Sequence, residues 1–218
     1  MKIYPKWLSY LTPFLTRANS PHDVQGNHYF LISGEGFPSL LDNHLINSVR
    51  DINNVNKFDY FVIILDAEEL TVQQKIDQVI DFIAQKKVEI NCDLKIIVQN
   101  RCIETWLLAN RRMFPRQPQD VNLRQYIRFY NVRNSDPELS GVYPDFENHA
   151  HFHYEYLKLI FEARERHYTK RNPSDAMDQH FLDQLIERTN DMNDHIKTFQ
   201  IFYNFCEELR VQYNSQSS

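Results

Sequence analysis

The first half of the chain alternates short apolar runs with segments whose apolar residues recur at helical spacing. The runs His28–Ile32, Tyr60–Leu65 and Leu94–Val98 are apolar and rich in β-branched or aromatic residues, as buried strands are. Apolar residues on one helical face extend from Leu40 to about Asn54 and from Thr71 to about Lys87. Strands that alternate with helices of crossover length pair in parallel. The pattern therefore predicts an α/β fold with a mainly parallel sheet flanked by helices.

The second half reads as an α-helical portion. A short helix is predicted from Ile103 to about Ala109, and Pro115–Pro118 opens a linker after it. Pro173–Ser174–Asp175 is predicted to cap the middle one of three further helices, which are expected at Tyr154–His167, Met177–Thr189 and His195–Arg210. The predicted organisation is an N-terminal arm or helix (1–25), an α/β core (26–112), a linker and loop region (113–150), a helical portion (151–213) and a disordered polar tail (214–218).

Composition narrows the class of protein. The chain has 218 residues, of which 42% are hydrophobic, enough for a substantial core. Its three cysteines form no CxxC pair, which favours reduced, buried thiols in a cytoplasmic protein over zinc ligands. The apolar N-terminal run is broken by polar residues and Pro13, which favours a helix packed on the core over a signal peptide. No stretch is long and apolar enough to span a membrane.

Charge is unevenly distributed along the chain. Residues 101–133 hold seven arginines, no lysine and two acidic residues, a net charge of +5 in a chain whose total is −5. Arginine suits bidentate phosphate recognition, and the same segment carries Phe114, Tyr126, Phe129 and Tyr130, which can stack on bases. The alternative is a solvated surface with ordinary ion pairs. A negative total does not exclude nucleic acid when the charge is segregated.

Acidic residues follow each predicted strand. Glu35 lies in the turn SGEGF after the first strand, Asp66 and Glu68 follow the second, and Glu104 begins the helix after the third. The turns after parallel strands share one edge of a sheet, where ligands bind. Carboxylates gathered there can hold Mg²⁺ or Mn²⁺. The alternative is that these acids are helix caps, which accounts for any one of them.

Other motifs point less strongly to chemistry. The chain has no GxGxxG and no GxxxxGK[ST] sequence, which disfavours a dinucleotide site and a P-loop. His149, His151 and His153 lack the further ligands of a zinc motif, so a surface or interface cluster is favoured. Trp106 is predicted to lie in the core.

The acidic turns carry a resemblance to a known family. A Gly-Glu-Gly turn after one strand and a spaced acidic pair after the next resemble the TOPRIM domain of primases, topoisomerases and OLD-type nucleases. The stretch NRCIETWLLAN (100–110) is similar to a segment of the RloB-like TOPRIM proteins of bacterial defence loci. HYTKRNP (167–173) and HIKTF (195–199) are also similar to that group, and the resemblance covers about residues 26–205.

The resemblance implies a fold and a set of roles. It implies a TOPRIM-like, Rossmannoid core with Glu35 as the general acid/base, and Asp66 and Glu68 as the metal pair, completed by Glu104. Together these four residues are the predicted catalytic and metal-binding set for Mg²⁺ or Mn²⁺. Glu68 departs from the family pattern, in which Asp is usual, and the Thr-Glu that usually follows the first Glu is missing. The predicted nucleic-acid-binding residues are Arg101, Arg111, Arg112, Arg124, Arg128, Lys170, Arg171 and His195.

Three functions follow as hypotheses. The first is a metal-dependent nuclease for DNA or RNA, tRNA included, acting in anti-phage abortive infection under a separate ATPase or sensor protein, alone or as an oligomer. The second is a non-catalytic module with a degenerate site that binds nucleic acid or a protein partner. The third is a phosphohydrolase acting on small nucleotides, which would not need the arginine-rich segment.

Overall fold

Strands and helices alternate in the first half of the molecule, and helices make up the second half. A computed structural model describes residues 2–34, 36, 39–192 and 194–216. The helices are Ile3–Leu11 (α1), Ile46–Val55 (α2), Val72–Gln85 (α3), Ile103–Leu107 (α4), Val121–Phe129 (α5), His149–Glu162 (α6), Gln179–Asp191 (α7) and Lys197–Gln216 (α8). The strands are Thr16–Arg17 (β1), His28–Tyr29 (β2), Tyr60–Asp66 (β3) and Asp93–Gln99 (β4). A π-helical segment, Leu40–Leu45, leads into α2.

The β3–α3–β4 unit confirms the mixed α/β prediction. β3 and β4 pair in parallel over their whole length, from Tyr60 opposite Asp93 to Asp66 opposite Gln99. A capping box starts the crossover helix α3, because the Thr71 hydroxyl accepts from the Gln74 amide at 3.2 Å while the Gln74 side chain accepts from the Thr71 amide at 2.9 Å. Parallel pairing places the chain turns that follow β3 and β4 at the same edge.

The first predicted strand does not join that pair. Only His28 and Tyr29 form a strand, and they pair in parallel with Thr16 and Arg17. Within the described residues, β3 has β4 as its one strand partner. The prediction of a single sheet that includes residues 28–32 is therefore wrong. The physical reason is a competing partner, because residues 16–18 of the predicted N-terminal arm take up these backbone groups, as when the Ala18 amide donates to Tyr29 at 2.9 Å.

Two apolar clusters form the core. The smaller one lies between the β3–β4 pair and helices α2 and α3, and its buried members are Leu41, Leu45, Val49, Ile63, Leu65, Ala67, Val79 and Val98. The larger cluster joins α1 and the other face of β4, at Ile97, to the helical half, and it includes the fully buried Trp7, Trp106 and Phe199. Trp7 on α1 also donates to the Ala176 carbonyl at 3.0 Å. The predicted packing of an N-terminal helix on the core, and of Trp106 in it, is thus confirmed.

Helix α5 lies in the region predicted to be a linker. The Asp120 carboxylate accepts from the Leu123 amide at 2.8 Å and so caps the helix. Leu123 and Tyr126 are buried in the larger cluster, as is Phe114. The suggestion that Phe114 and Tyr126 stack on bases is therefore wrong, since their rings are packed inside the protein.

Two boundaries in the helical half also differ from prediction. Residues Ser174–Met177 form a 3₁₀ turn, and α7 begins after it at Gln179, so Pro173–Ser174–Asp175 does not cap α7. α8 continues to Gln216, so the tail predicted to be disordered starts as helix. In the part of the chain that the structure describes, none of the helices has the length and apolar character needed to cross a membrane.

Candidate catalytic site

Asp66 occupies the last position of β3, at the edge where both parallel strands end. The chain stays paired beyond the strands, because the Ala67 amide donates to Gln99 and the Glu68 amide to Arg101, each at 2.9 Å. These two bonds hold the turn after β3 against the turn after β4. Asp66 and the start of α4 are thereby fixed relative to each other.

Glu104 lies in the first turn of α4 and is fully buried. The Tyr168 hydroxyl donates to its Oε1 at 3.0 Å, and the Lys170 Nζ lies 4.0 Å from the same oxygen. Both partners come from the segment between α6 and α7. The Lys170 side chain is 61% exposed, so its ammonium also faces solvent beside the buried carboxylate.

The charge of Glu104 acts on the buried carboxylate of Asp66. Burial, and after it the charge of Glu104, raises the pKa of Asp66 from 3.8 to about 7. Asp66 Oδ1 and Glu104 Oε2 are both buried and have no hydrogen-bond partner among the described residues. Buried carboxylate oxygens without a donor are costly unless a proton or a cation satisfies them. The pair therefore has the chemistry of a cation or proton site.

Glu68 lies at the same edge but faces a different partner. Its backbone adopts a left-handed conformation with φ of 56°, and its side chain is 57% exposed. Its Oε2 lies 3.8 Å from the Nζ of Lys75, a lysine buried on α3. Glu68 is thus not buried with Asp66 and Glu104.

The structure contains two site residues that the sequence reasoning missed. Tyr168 lies within the HYTKRNP stretch, from which only Lys170 and Arg171 were singled out. Lys75 is spaced by three residues from Val72 and by four from Val79, so it lies on the apolar face of its helix. A lysine on such a face is an exception to the burial pattern, and that exception is the signal that could have identified it.

Glu35 lies outside the described residues. Its neighbours Gly34 and Gly36 line a cavity of about 560 Å³, and Asp66 and Glu68 line the same cavity. Strand β3 and residues 28–34 form much of the remaining wall. The described surroundings of Glu35 therefore open onto the same cavity as Asp66.

The residues present fit a hard divalent cation only in part. Carboxylate oxygens are the ligands that Mg²⁺ prefers, and Asp66 and Glu104 each have one oxygen without a partner. Across residues 2–34, 36, 39–192 and 194–216, however, no group of three or more His, Cys, Asp or Glu side chains is arranged to hold a metal ion. The described part of the chain supplies two buried carboxylates, and Glu68 is turned toward Lys75.

The predicted nucleic-acid-binding residues fall into separate groups. Lys170 is exposed next to Glu104 and Arg171 is exposed beside it in the chain, whereas Arg124 and Arg128 are exposed on α5. Arg101 instead supports the turn after β3, since its Nη1 donates to the carbonyls of Glu68 at 3.2 Å and Leu70 at 3.3 Å.

The other three predicted residues lie near one another in the helical half. Arg111 and Arg112 line a second pocket, which shares no lining residue with the cavity beside Asp66. His195 is half-buried, and its Nδ1 accepts from Arg188 at 3.0 Å.

The three histidines of α6 have different environments. His149 contacts the Glu69 carboxylate at 2.6 Å, and His151 is exposed. His153 is fully buried against the Thr105 hydroxyl at 2.8 Å, and burial lowers its pKa to about 3, so it is neutral. The prediction of a surface or interface cluster is therefore wrong for His153, which lies in the interior.

Comparison with protein-family models, curated proteins and solved structures gives no significant match.

Proposed function

We propose that the protein is a metal-dependent nuclease of the TOPRIM type, with its catalytic centre at the edge where β3 and β4 end. The observation that carries the proposal is the buried pair Asp66 and Glu104, each with a carboxylate oxygen that no described residue satisfies. The sequence resemblance in the Gly-Glu-Gly turn and in NRCIETWLLAN supports the same assignment.

In this assignment Asp66 and Glu104 would hold Mg²⁺, with Glu68 and Glu35 as further oxygen ligands. Mg²⁺, when bound, lowers the pKa of water and neutralises charge on the phosphate. Tyr168 keeps Glu104 oriented through its hydrogen bond, which makes it a positioning residue. Lys170 has an exposed ammonium beside Glu104 and would pair with a phosphate oxygen of the substrate.

The reaction is hydrolysis of a phosphodiester. A water oxygen forms the new bond to phosphorus, the bond from phosphorus to the leaving oxygen breaks, and that oxygen gains a proton. We assign the proton transfer to Glu35, on the family resemblance. Exposed cations, namely Lys170, Arg171, Arg124 and Arg128, would hold the nucleic-acid backbone. On the same resemblance we place the enzyme in antiviral defence, with a separate ATPase or sensor as its regulator.

The test is double replacement, Asp66→Ala with Glu68→Ala. Nuclease activity in Mn²⁺ should fall by about a thousandfold or more, because metal ligands are lost, while nucleic-acid binding in EDTA is retained or strengthened. Asp81→Asn, on the exposed face of α3, is the control and should keep full activity. Cleavage of labelled RNA and DNA, with filter binding in parallel, measures both quantities. Unchanged cleavage by the double variant would exclude this catalytic centre.

A non-catalytic binding module is the second candidate. It is favoured by the lack, among the described residues, of a three-ligand group and by the pairing of Glu68 with Lys75. This candidate predicts that the unmodified protein binds nucleic acid without cleaving it in any divalent metal. The same assays therefore separate the two functions.

A further inference from the structure

A second pocket, of about 470 Å³, lies in the helical half and is lined by six arginines. They are Arg111, Arg112, Arg116, Arg133, Arg164 and Arg188. The acidic residues in its lining are Glu187 and Asp191, which leaves the pocket with a net charge of +4. Such an excess of like charge in a concave site is unfavourable unless an anion compensates it.

Two of the six arginines are structural. Arg164 donates to the carbonyls of Arg112 at 2.8 Å and Phe114 at 3.2 Å, which fixes the chain after α4. Arg188 is buried and donates to the carbonyls of Ala109, Val132 and Ser135 at 2.7–2.9 Å. These bonds place both guanidinium groups at fixed positions in the wall.

Arg188 is buried close to a second guanidinium group, that of Arg111. Burial, and after it the charge of Arg111, lowers the pKa of Arg188 to about 10. Its hydrogen-bond acceptors are carbonyls and His195 Nδ1, so no carboxylate among the described residues forms an ion pair with it.

The other four arginines have side-chain N–H groups that no described residue accepts from. Arg111 Nε and Nη2 are buried with no hydrogen-bond partner in the described part of the chain, and its Nη1 lies 3.6 Å from Asp191. Arg112, Arg116 and Arg133 are exposed at the rim. Their side chains form no hydrogen bond or ion pair with a described residue. In an ordinary ion-pair network, acidic side chains would accept from these N–H groups. Of the two acids in the lining, Asp191 pairs with Arg111, and Glu187 forms no ion pair with a described residue.

We propose that this pocket binds the phosphate oxygens of a di- or triphosphate group. Guanidinium groups bind phosphate oxygens through paired, planar hydrogen bonds. A compact polyphosphate places several charges within a volume of this size, whereas the backbone of a nucleic acid spreads single charges along a strand. The group would belong to a free nucleotide or to the 5′ end of an RNA. This site goes beyond the proposed nuclease centre, because it shares no lining residue with the cavity beside Asp66.

The test is calorimetric titration with inorganic triphosphate, carried out in EDTA so that binding through a metal at the carboxylate centre does not contribute. The unmodified protein should show saturable binding of one triphosphate. Arg111→Gln, and separately the exposed pair Arg112→Gln with Arg133→Gln, should each weaken binding by about tenfold or more, because charge-assisted hydrogen bonds are lost. The side chains of the exposed pair form no hydrogen bond or ion pair with a described residue, and substitution leaves their backbone hydrogen bonds in place, so that variant should fold normally.

Arg124→Gln with Arg128→Gln is the matched control, since it removes the same charge outside the pocket. Triphosphate affinity should stay within about twofold of the original, because the effect of these distant charges is screened by salt. Titration with ATP, and with an RNA carrying a 5′-triphosphate or a 5′-hydroxyl, identifies the source of the group. Absence of saturable binding, or equal weakening by the control pair, would overturn the proposal.

Discussion

At the scale of single residues, buried carboxylates make this molecule sensitive to pH. Glu138 lies inside the helical half, where its carboxylate accepts from the Thr198 amide at 3.0 Å and from the Thr198 hydroxyl. The same hydroxyl accepts from the Trp106 indole at 2.7 Å. Burial raises the pKa of Glu138 from 4.5 to about 7. The folded state therefore favours the protonated form more than the unfolded state does.

The raised pKa of Glu138 determines the direction in which the free energy of unfolding changes with pH. The stability linked to Glu138 is fully present below pH 4.5 and is lost as the pH rises to about 7. The glutamine of Glu138→Gln cannot ionise, so the variant should not lose this stability. Over that window the free energy of unfolding of the unmodified protein should fall by about 3 kcal/mol more than that of the variant. Urea unfolding at a series of pH values measures the difference. Glu147→Gln, at an exposed position just before α6, is the control and should follow the original profile. An unchanged slope in Glu138→Gln would show that Glu138 is not the titrating group.

At the scale of elements, the helices and strands predicted correctly are those whose own sequence carries the pattern. β3, α3 and β4 carry both a periodic pattern and recognisable ends, and the structure places them within two residues of the prediction. β2 depended on a distant partner, because residues 16–18 compete for its backbone groups. Tertiary structure determines which strand pairs with β2, and the apolar run itself does not indicate its partner.

Helix α5 was missed because Pro115–Pro118 predicted a linker at this point of the chain. Leu123 and Tyr126 nevertheless share one face of a helix with a capping aspartate before it. The candidate site, too, could be predicted from the sequence only in part. Asp66 and Glu104 could be predicted from strand ends, whereas the approach of Tyr168 depends on how the segment before α7 folds back.

The cap of α5 gives a prediction at this scale. Asp120→Ala removes the acceptor of the Leu123 amide, which should lower the free energy of unfolding by about 1 kcal/mol. Gln119→Ala, at the exposed neighbouring position, should have no measurable effect. Chemical denaturation monitored by circular dichroism measures both. An Asp120→Ala variant as stable as the original would mean that water or another group replaces the cap.

At the scale of the whole molecule, the positive charge of residues 101–133 is divided between different tasks. Arg101 supports a turn, and Arg111 and Arg112 line the arginine pocket, whereas Arg124 and Arg128 face solvent on α5. A net charge counted along the sequence cannot show this division. Only the outward-facing residues are available to a long nucleic-acid strand.

This division predicts how binding should depend on salt. Each cation that contacts a phosphate contributes about one unit to the slope of log affinity against log salt, so Arg124→Gln with Arg128→Gln should reduce that slope by about two. Lys86→Gln with Lys87→Gln, at the end of α3, removes the same charge and should leave the slope unchanged. Fluorescence anisotropy with a labelled oligonucleotide measures it. If the α5 pair also leaves the slope unchanged, α5 is not part of the binding surface, as the small-nucleotide hypothesis expects.

The aromatic cluster of the helical half has a practical consequence. The chain has two tryptophans, and both Trp7 and Trp106 lie in this cluster, with their rings 5.9 Å and 5.5 Å from that of Phe199. Neither belongs to the apolar cluster beneath β3 and β4. Tryptophan emission, excited selectively over that of the tyrosines, is therefore an optical reporter of the larger cluster. Comparing it with a dye placed on Cys92, which is half-buried just before β4, would reveal whether the two halves melt together or one after the other.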